Sequence, residues 1–299
     1  MTAVESRVGI VTAVLFGVGM AAGCGSNTAS RRPPVAPASA GADEYASGLT
    51  EHHRYHHGGV TLFIAMSIDT LGVAPEQQAA VDKIRTELRS VMAPERTAEE
   101  GLLATLADGL SGANLDAASV GAAVAQVAKA AAAVHDASAE TLNQLHATLT
   151  PPERTALVDK VEAHWAIWQK ENAEELAASN NTQSGHFATL TMELDLTTDQ
   201  VDKIRAAFVG SVEEVPRIAR GEIAAHIHAF GDAFRGETFD ARLLTAGNAA
   251  NTGLTSWGAA HLAHVVEIMA PLLTPDQRAT FAGKLREHAT HAPSGQGNS

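Results

Sequence analysis

Apolar residues along this chain recur at steps of three and four. Val120, Val124, Val127, Ala131, Val134, Leu142, Leu145 and Leu149 fall on one face of a helix more than 30 residues long. Leu254, Trp257, His261, Val265, Ile268 and Leu272 form a second stripe, and Ile223, Ile227, Phe230 and Phe234 a shorter one. Composition points the same way: apolar residues make up 45% of the chain, mostly Ala, Val and Leu, while aromatics are only 4%. Such a mixture favours helices over a sheet rich in β-branched and aromatic residues, so the expected fold class is all-α.

The pattern occurs twice. Leu106-Ala-Asp-Gly-Leu110-Ser-Gly112-Ala-Asn-Leu115-Asp116-Ala matches Phe230-Gly-Asp-Ala-Phe234-Arg-Gly236-Glu-Thr-Phe239-Asp240-Ala at an offset of 124 residues. Leu149-Thr-Pro-Pro-Glu-Arg154 matches Leu273-Thr-Pro-Asp-Gln-Arg278 at the same offset, and His164 falls on His288. Upstream, Leu71 to Gln77 matches Leu194 to Gln200 at an offset of 123. Each copy thus carries two motifs of the form Leu-Thr-x-x-Gln, 78 residues apart in the first copy and 79 in the second.

Physically the motif is a helix start. Thr150 can cap backbone N–H groups, Pro151 suits the first helical position, and Glu153 can reach back to the cap. Thr274 with Gln277 and Thr197 with Gln200 repeat the arrangement, whereas Ala74 keeps Gln77 but lacks the capping oxygen. Pro94 and Pro216 mark helix breaks or kinks, and each copy reads as about four helices. The expected units are residues 51–176 and 177–291, which can pack as an internal pseudo-dimer within a monomer.

The N-terminal residues have a different character. Arg7 precedes an apolar run from Val8 to Met20, and Ala21-Ala22-Gly23 then leads to Cys24, the only cysteine. Residues 1–23 have the layout of a secretory signal, and Ala-Ala-Gly-Cys resembles the bacterial lipobox, in which the cysteine becomes a lipid-bearing N-terminus. Residues 24–50, rich in Ser, Ala, Pro and Gly, read as a flexible tether, and 292–299 as a disordered tail. The expected location is the periplasm, with Cys24 anchoring the protein to a membrane, the outer one in this reading.

The paired motifs, with the Leu115-Asp116 and Phe239-Asp240 steps that open the long helices, resemble the Spy/CpxP family of periplasmic proteins, taken twice. That family includes zinc-resistance-associated proteins and heavy-metal sensors. The resemblance implies envelope stress response and, in some members, ATP-independent chaperoning or metal binding.

No phosphate-binding glycine loop, His-Glu-x-x-His, nucleophile elbow or second thiol is present, so the chain reads as a non-enzyme that requires no cofactor. A formal charge of −13 disfavours nucleic acid as a partner. His52, His53, His56 and His57 form two i,i+4 pairs able to grip Zn²⁺ or another divalent transition metal. His226 with His228, and His261 with His264, form a second candidate cluster, although His261 lies on the apolar stripe. The leading reading is therefore a membrane-anchored chaperone or stress modulator that binds unfolded or envelope proteins. A metal sensor or buffer is the alternative, and a structural envelope spacer a third.

If Cys24 carries the anchor, Cys24→Ala releases the protein from membranes. Unchanged fractionation of that variant between membrane and soluble extracts rules the anchor out.

Overall fold

A computed structural model of the chain describes residues 59–172, 185–211 and 217–291. The signal, Cys24, the tether, His52, His53, His56 and His57, Pro216 and the tail lie outside these residues. The described residues belong to one compact unit.

The first copy supplies α1 (Val60–Asp69), the 38-residue α2 (Pro75–Gly112), α3 (Ala117–Ala131), α4 (Val134–Thr148) and α5 (Pro151–Glu171). The second supplies α6 (Gly185–Glu193), α7 (Thr198–Gly210), α8 (Arg220–Arg235), α9 (Gly247–Met269) and α10 (Pro275–His291). Short 3-10 turns occupy Ala241–Leu243 and Ala270–Leu272, and among the described residues the fold is all-α. Each copy thus gives five segments where about four were expected, because an extra break falls at a different place in each. In the first copy the second helix is continuous and the third is divided. In the second copy α7 and α8 divide what α2 spans, while α9 spans what α3 and α4 divide.

Two expectations need correction here. The long helix predicted from Val120 to Leu149 bends at Ala132-Ala133, where the Ala133 N–H turns to the Ala130 carbonyl at 3.4 Å, one residue tighter than the α pattern. Beyond the bend His135 is seated on Gly247: a methyl group built there would lie 2.2 Å from its ring, so the close approach requires glycine. Of the break or kink expected at Pro94, the break is absent, since α2 runs through it. The ring removes one N–H from the ladder, and because Pro94 is on an exposed face, water can serve the carbonyl left behind.

The apolar faces assemble into two cores, and neither belongs to one copy. One combines α1, the first half of α2, α4 and α5 with Ile223, Ile227, Phe230 and Phe234 of α8 and the start of α9. The other combines Leu102, Leu106 and Leu110 of α2 and Val120 and Val127 of α3 with Ile204, the second half of α9 and α10. The short stripe on α8 is buried as expected. On α9 only Leu254 and Trp257 of the predicted stripe are buried, and the buried line then shifts to Ala259, Ala263, Val266 and Met269, because the two halves of this helix serve different cores.

The exchange is reciprocal. α10 packs along α2, and in the corresponding place α5 packs along α8. Both contacts carry an ion pair with the charges interchanged. Arg286 reaches Asp108 at 2.7 Å and the Ser111 hydroxyl at 3.2 Å, while Arg235 reaches Asp159 at 2.8 Å and Glu162 at 3.2 Å. At the repeat offset Arg286 corresponds to Glu162, and Ser111 to Arg235. Gly231 lets α5 approach closely, since a Cβ there would lie 2.8 Å from Val158.

The repeated motifs do more than start helices. The Gln77 amide donates to the Thr148 carbonyl at 2.8 Å and to Glu153 Oε2 at 3.0 Å, tying the start of α2 to the start of α5. In the second copy Gln200 donates to the Leu272 carbonyl at 2.9 Å and to Gln277 Oε1 at 2.7 Å, and Gln277 donates back to Gln200 Oε1 at 3.1 Å. Gln77, Gln200 and Gln277 also accept from the N–H groups of Ala74, Thr197 and Thr274 at 2.9 to 3.2 Å. Thr197 and Thr274 accept from the third helical N–H, as expected. Thr150 departs from this: its hydroxyl donates to Glu153 Oε2 at 2.8 Å instead of capping the backbone.

A net hydrogen bond of this kind contributes about 0.5–1.5 kcal/mol. Urea unfolding of Gln200→Ala, Gln277→Ala and the double variant is expected to give a coupling energy of that size. Strictly additive losses would reduce the motifs to independent caps.

Candidate functional site

Small residues on facing helices leave an open groove of about 660 Å³. Pro94, Ala98 and Gly101 line it from α2, and Ala130, Ala133 and Ala137 line it across the α3–α4 bend. Lys129 is its only charged lining residue. The helical stretch Ala117–Thr148 contains an 18-residue window of mean hydropathy 1.5, of which only 22% is buried. By length and composition it could cross a membrane, yet α2 and α9 pack against it. Its uncovered side is therefore an unusually apolar surface for an acidic protein.

Next to the groove, α2 turns a polar face inward. Successive helical residues are rotated by about 100°, so Glu95 points away from Pro94 and toward α9. There Glu95 accepts a hydrogen bond from the Thr255 hydroxyl at 2.7 Å. One turn back along α9, Asn251 accepts from the Thr61 N–H and donates to the Thr61 hydroxyl, both at 3.0 Å. Gly59, at the N-cap of α1, has no side chain, so a distant helix supplies the capping oxygen. Glu95, Thr61, Asn251 and Thr255 are all buried.

Removal from water raises the Glu95 pKa against the lowering effect of the Thr255 and Gly59 hydrogen bonds. Glu99, one turn further on, is pushed up to about 8, chiefly by burial and then by the neighbouring Glu95 charge, with Arg96 opposing. Glu99 therefore holds a proton at neutral pH. A sequence signal for it existed: Val81, Ile84, Leu88, Met92, Glu95, Glu99, Leu102 and Leu106 step by three and four, and the two acids fall on the apolar stripe.

The histidines separate into structural roles. Buried His164 stacks on Phe63 with ring centres 6.0 Å apart, and burial, with a smaller effect from Lys160, lowers its pKa to about 4. His226 meets His135 edge-on at 5.5 Å, and burial, then the His135 charge, lowers it to about 4 as well. His228 points to solvent, His261 stacks on Trp257 at 5.1 Å, and His264 Nε2 is 2.9 Å from the Ser211 hydroxyl. These four side chains do not converge on a common point. His146 lies beside Arg154, whose guanidinium also donates to the Gly236 carbonyl at 2.6 Å. His146 Nε2 also lies 3.0 Å from the Gly236 carbonyl, and burial, against that contact and with the Arg154 charge, lowers the His146 pKa.

Among the described residues no group of three or more His, Cys, Asp or Glu side chains is arranged to hold a metal ion. The residues named as helix caps form the two clasps and do not line the groove. Comparison with family models, curated proteins and solved structures gives no match.

The buried acids and imidazoles oppose each other in pH. His164 and His226 titrate near 4 in the fold and about 6.5 when unfolded, so their contribution is complete above 6.5 and is lost as pH falls toward 4. Glu99 titrates near 8 in the fold against 4.5, so its contribution is complete below 4.5 and is lost as pH rises toward 8. Thermal unfolding followed by tryptophan fluorescence is expected to show Glu99→Gln gaining on the wild type between pH 5 and 8.5. A constant difference across that range would mean that Glu99 is ionised in the native state.

Proposed function

We propose that the protein is a non-catalytic holding module of the cell envelope, of the Spy/CpxP kind, that binds unfolded or exposed polypeptide segments without nucleotide. The groove between α2 and the α3–α4 bend carries this reading, because it is concave, uncharged except at Lys129, and continuous with an exposed apolar helix face. Exposed apolar area of this kind is costly for a soluble surface and is characteristic of a binding surface. The formal charge of −13 adds a preference for basic clients through long-range attraction. A lipid on Cys24 would hold this activity at a membrane surface.

In light-scattering assays the form lacking residues 1–24 is expected to suppress aggregation of a denatured model protein at stoichiometric ratio. Protection of basic clients should weaken with salt, because ions at 0.15 M screen exposed charges beyond about 8 Å. Absence of protection for both basic and acidic clients overturns the reading.

A further inference from the structure

The 124-residue offset carries over from sequence to packing. Leu142 and Val266, Leu145 and Met269, and Leu149 and Leu273 are offset pairs, and every member is buried. Ala131 and Thr255 are a further such pair, both at 0% exposure. The correspondence makes the groove an asymmetry between the halves. Its wall residues Ala130, Ala133 and Ala137 correspond to Leu254, Trp257 and His261. On α9 Leu254 and Trp257 are buried, Trp257 packs edge-on against Trp168 at 5.3 Å, and His261 stacks on Trp257. Where the second half places an aliphatic and an aromatic side chain, the first half has three methyl groups and an opening.

We infer that the groove is a receptor for one aromatic and one aliphatic side chain of a bound polypeptide segment flanked by lysine or arginine. The inference rests on the holding function proposed above and names the segments that function selects. The second half shows which side chains suit these backbone positions, since it supplies a Leu and a Trp from its own helix. A volume of about 660 Å³ admits both, as it lies within the roughly 300–1,000 Å³ typical of ligand pockets. Burying an aromatic and a leucine removes a large apolar area from water. Charge sets the flanks: the chain as a whole carries −13, so cationic ends lying clear of Lys129 meet a negative field, and the apolar pair meets a wall that is otherwise uncharged.

The C-terminal tail is a poorer occupant. Residues 292–299 contain no aromatic and no aliphatic side chain larger than proline. A second copy would bring like charge to like charge.

Two substitutions fill the groove from opposite walls. Ala133→Trp installs the residue of the other half. Gly101→Leu acts from α2, where an added Cβ meets nothing within 4 Å, and replaces a helix-weakening glycine, so the variant retains its fold. The experiment uses the full chain in detergent and a fluorescent synthetic peptide with lysine flanks around Leu-Ala-Ala-Trp, beside the same peptide with Ala at both anchor positions. Anisotropy is expected to show the Leu/Trp peptide binding at least tenfold more tightly than the Ala peptide. Each filled variant is expected to lose at least tenfold of that affinity, with circular dichroism and melting temperature maintained or raised.

Equal affinity for the two peptides overturns the inference, as does unchanged binding by a folded Gly101→Leu protein. Sedimentation showing a wild-type dimer that Gly101→Leu dissociates would assign the groove to a second copy instead. Tighter peptide binding after deletion of 292–299 would assign it to the chain's own tail. If Gly101→Leu loses no peptide affinity yet both proteins suppress aggregation, the receptor fails while the holding function stands. If neither protein suppresses aggregation, the holding function itself fails.

Discussion

A helical hairpin with one apolar face cannot remain folded in water until something covers that face, and here the cover for each half is the other half. α5 lies on α8 and α10 lies on α2, so each core closes only when helices of both copies have come together. The hydrophobic effect has no direction and would accept several pairings of such similar faces. Selection of one pairing falls to the polar groups. The Asn251–Thr61 and Thr255–Glu95 contacts join the copies at buried positions, where a missed hydrogen bond costs more than a made one gains.

The surface ion pairs work in the same sense with less energy. Exposed pairs contribute little to stability, yet interchanging their charges between the related contacts makes those contacts non-equivalent. An α10-type helix laid on α8 would place Arg286 near Arg235, and an α5-type helix laid on α2 would place Glu162 near Asp108. Both wrong pairings bring like charges together, which is how specificity is obtained when attraction alone does not discriminate.

Much of the architecture could be read from residue spacing, and the part that could not has a common physical reason. Periodicity specifies which face of a helix is buried, as it did for Ile223, Ile227, Phe230 and Phe234, but it does not specify the covering partner. The periodic stripe on α9 therefore departs from the buried line beyond Trp257, where the partner changes. The capping motifs were legible as helix starts because their chemistry is local; that Gln77 finds Glu153, and Gln200 finds Gln277, depends on tertiary approach. The groove was hidden for the opposite reason. Ala98, Ala130 and Ala133 are favourable helix residues, and nothing in their spacing distinguishes a small residue that lets helices touch from one that leaves a gap.

The interleaving also settles what holds the two copies together. Each core spans both, so the covalent connection between Asn172 and Gly185 sets the order and local concentration of the halves but is not what closes either core. Once folded, a chain cleaved between those residues would persist as a non-covalent complex of two fragments. It would come apart only when both cores opened, whereas either fragment alone would expose its part of each core to water. The copies are in this sense complementary parts of a single folding unit, and the duplicated sequence is a poor guide to where the molecule can be divided.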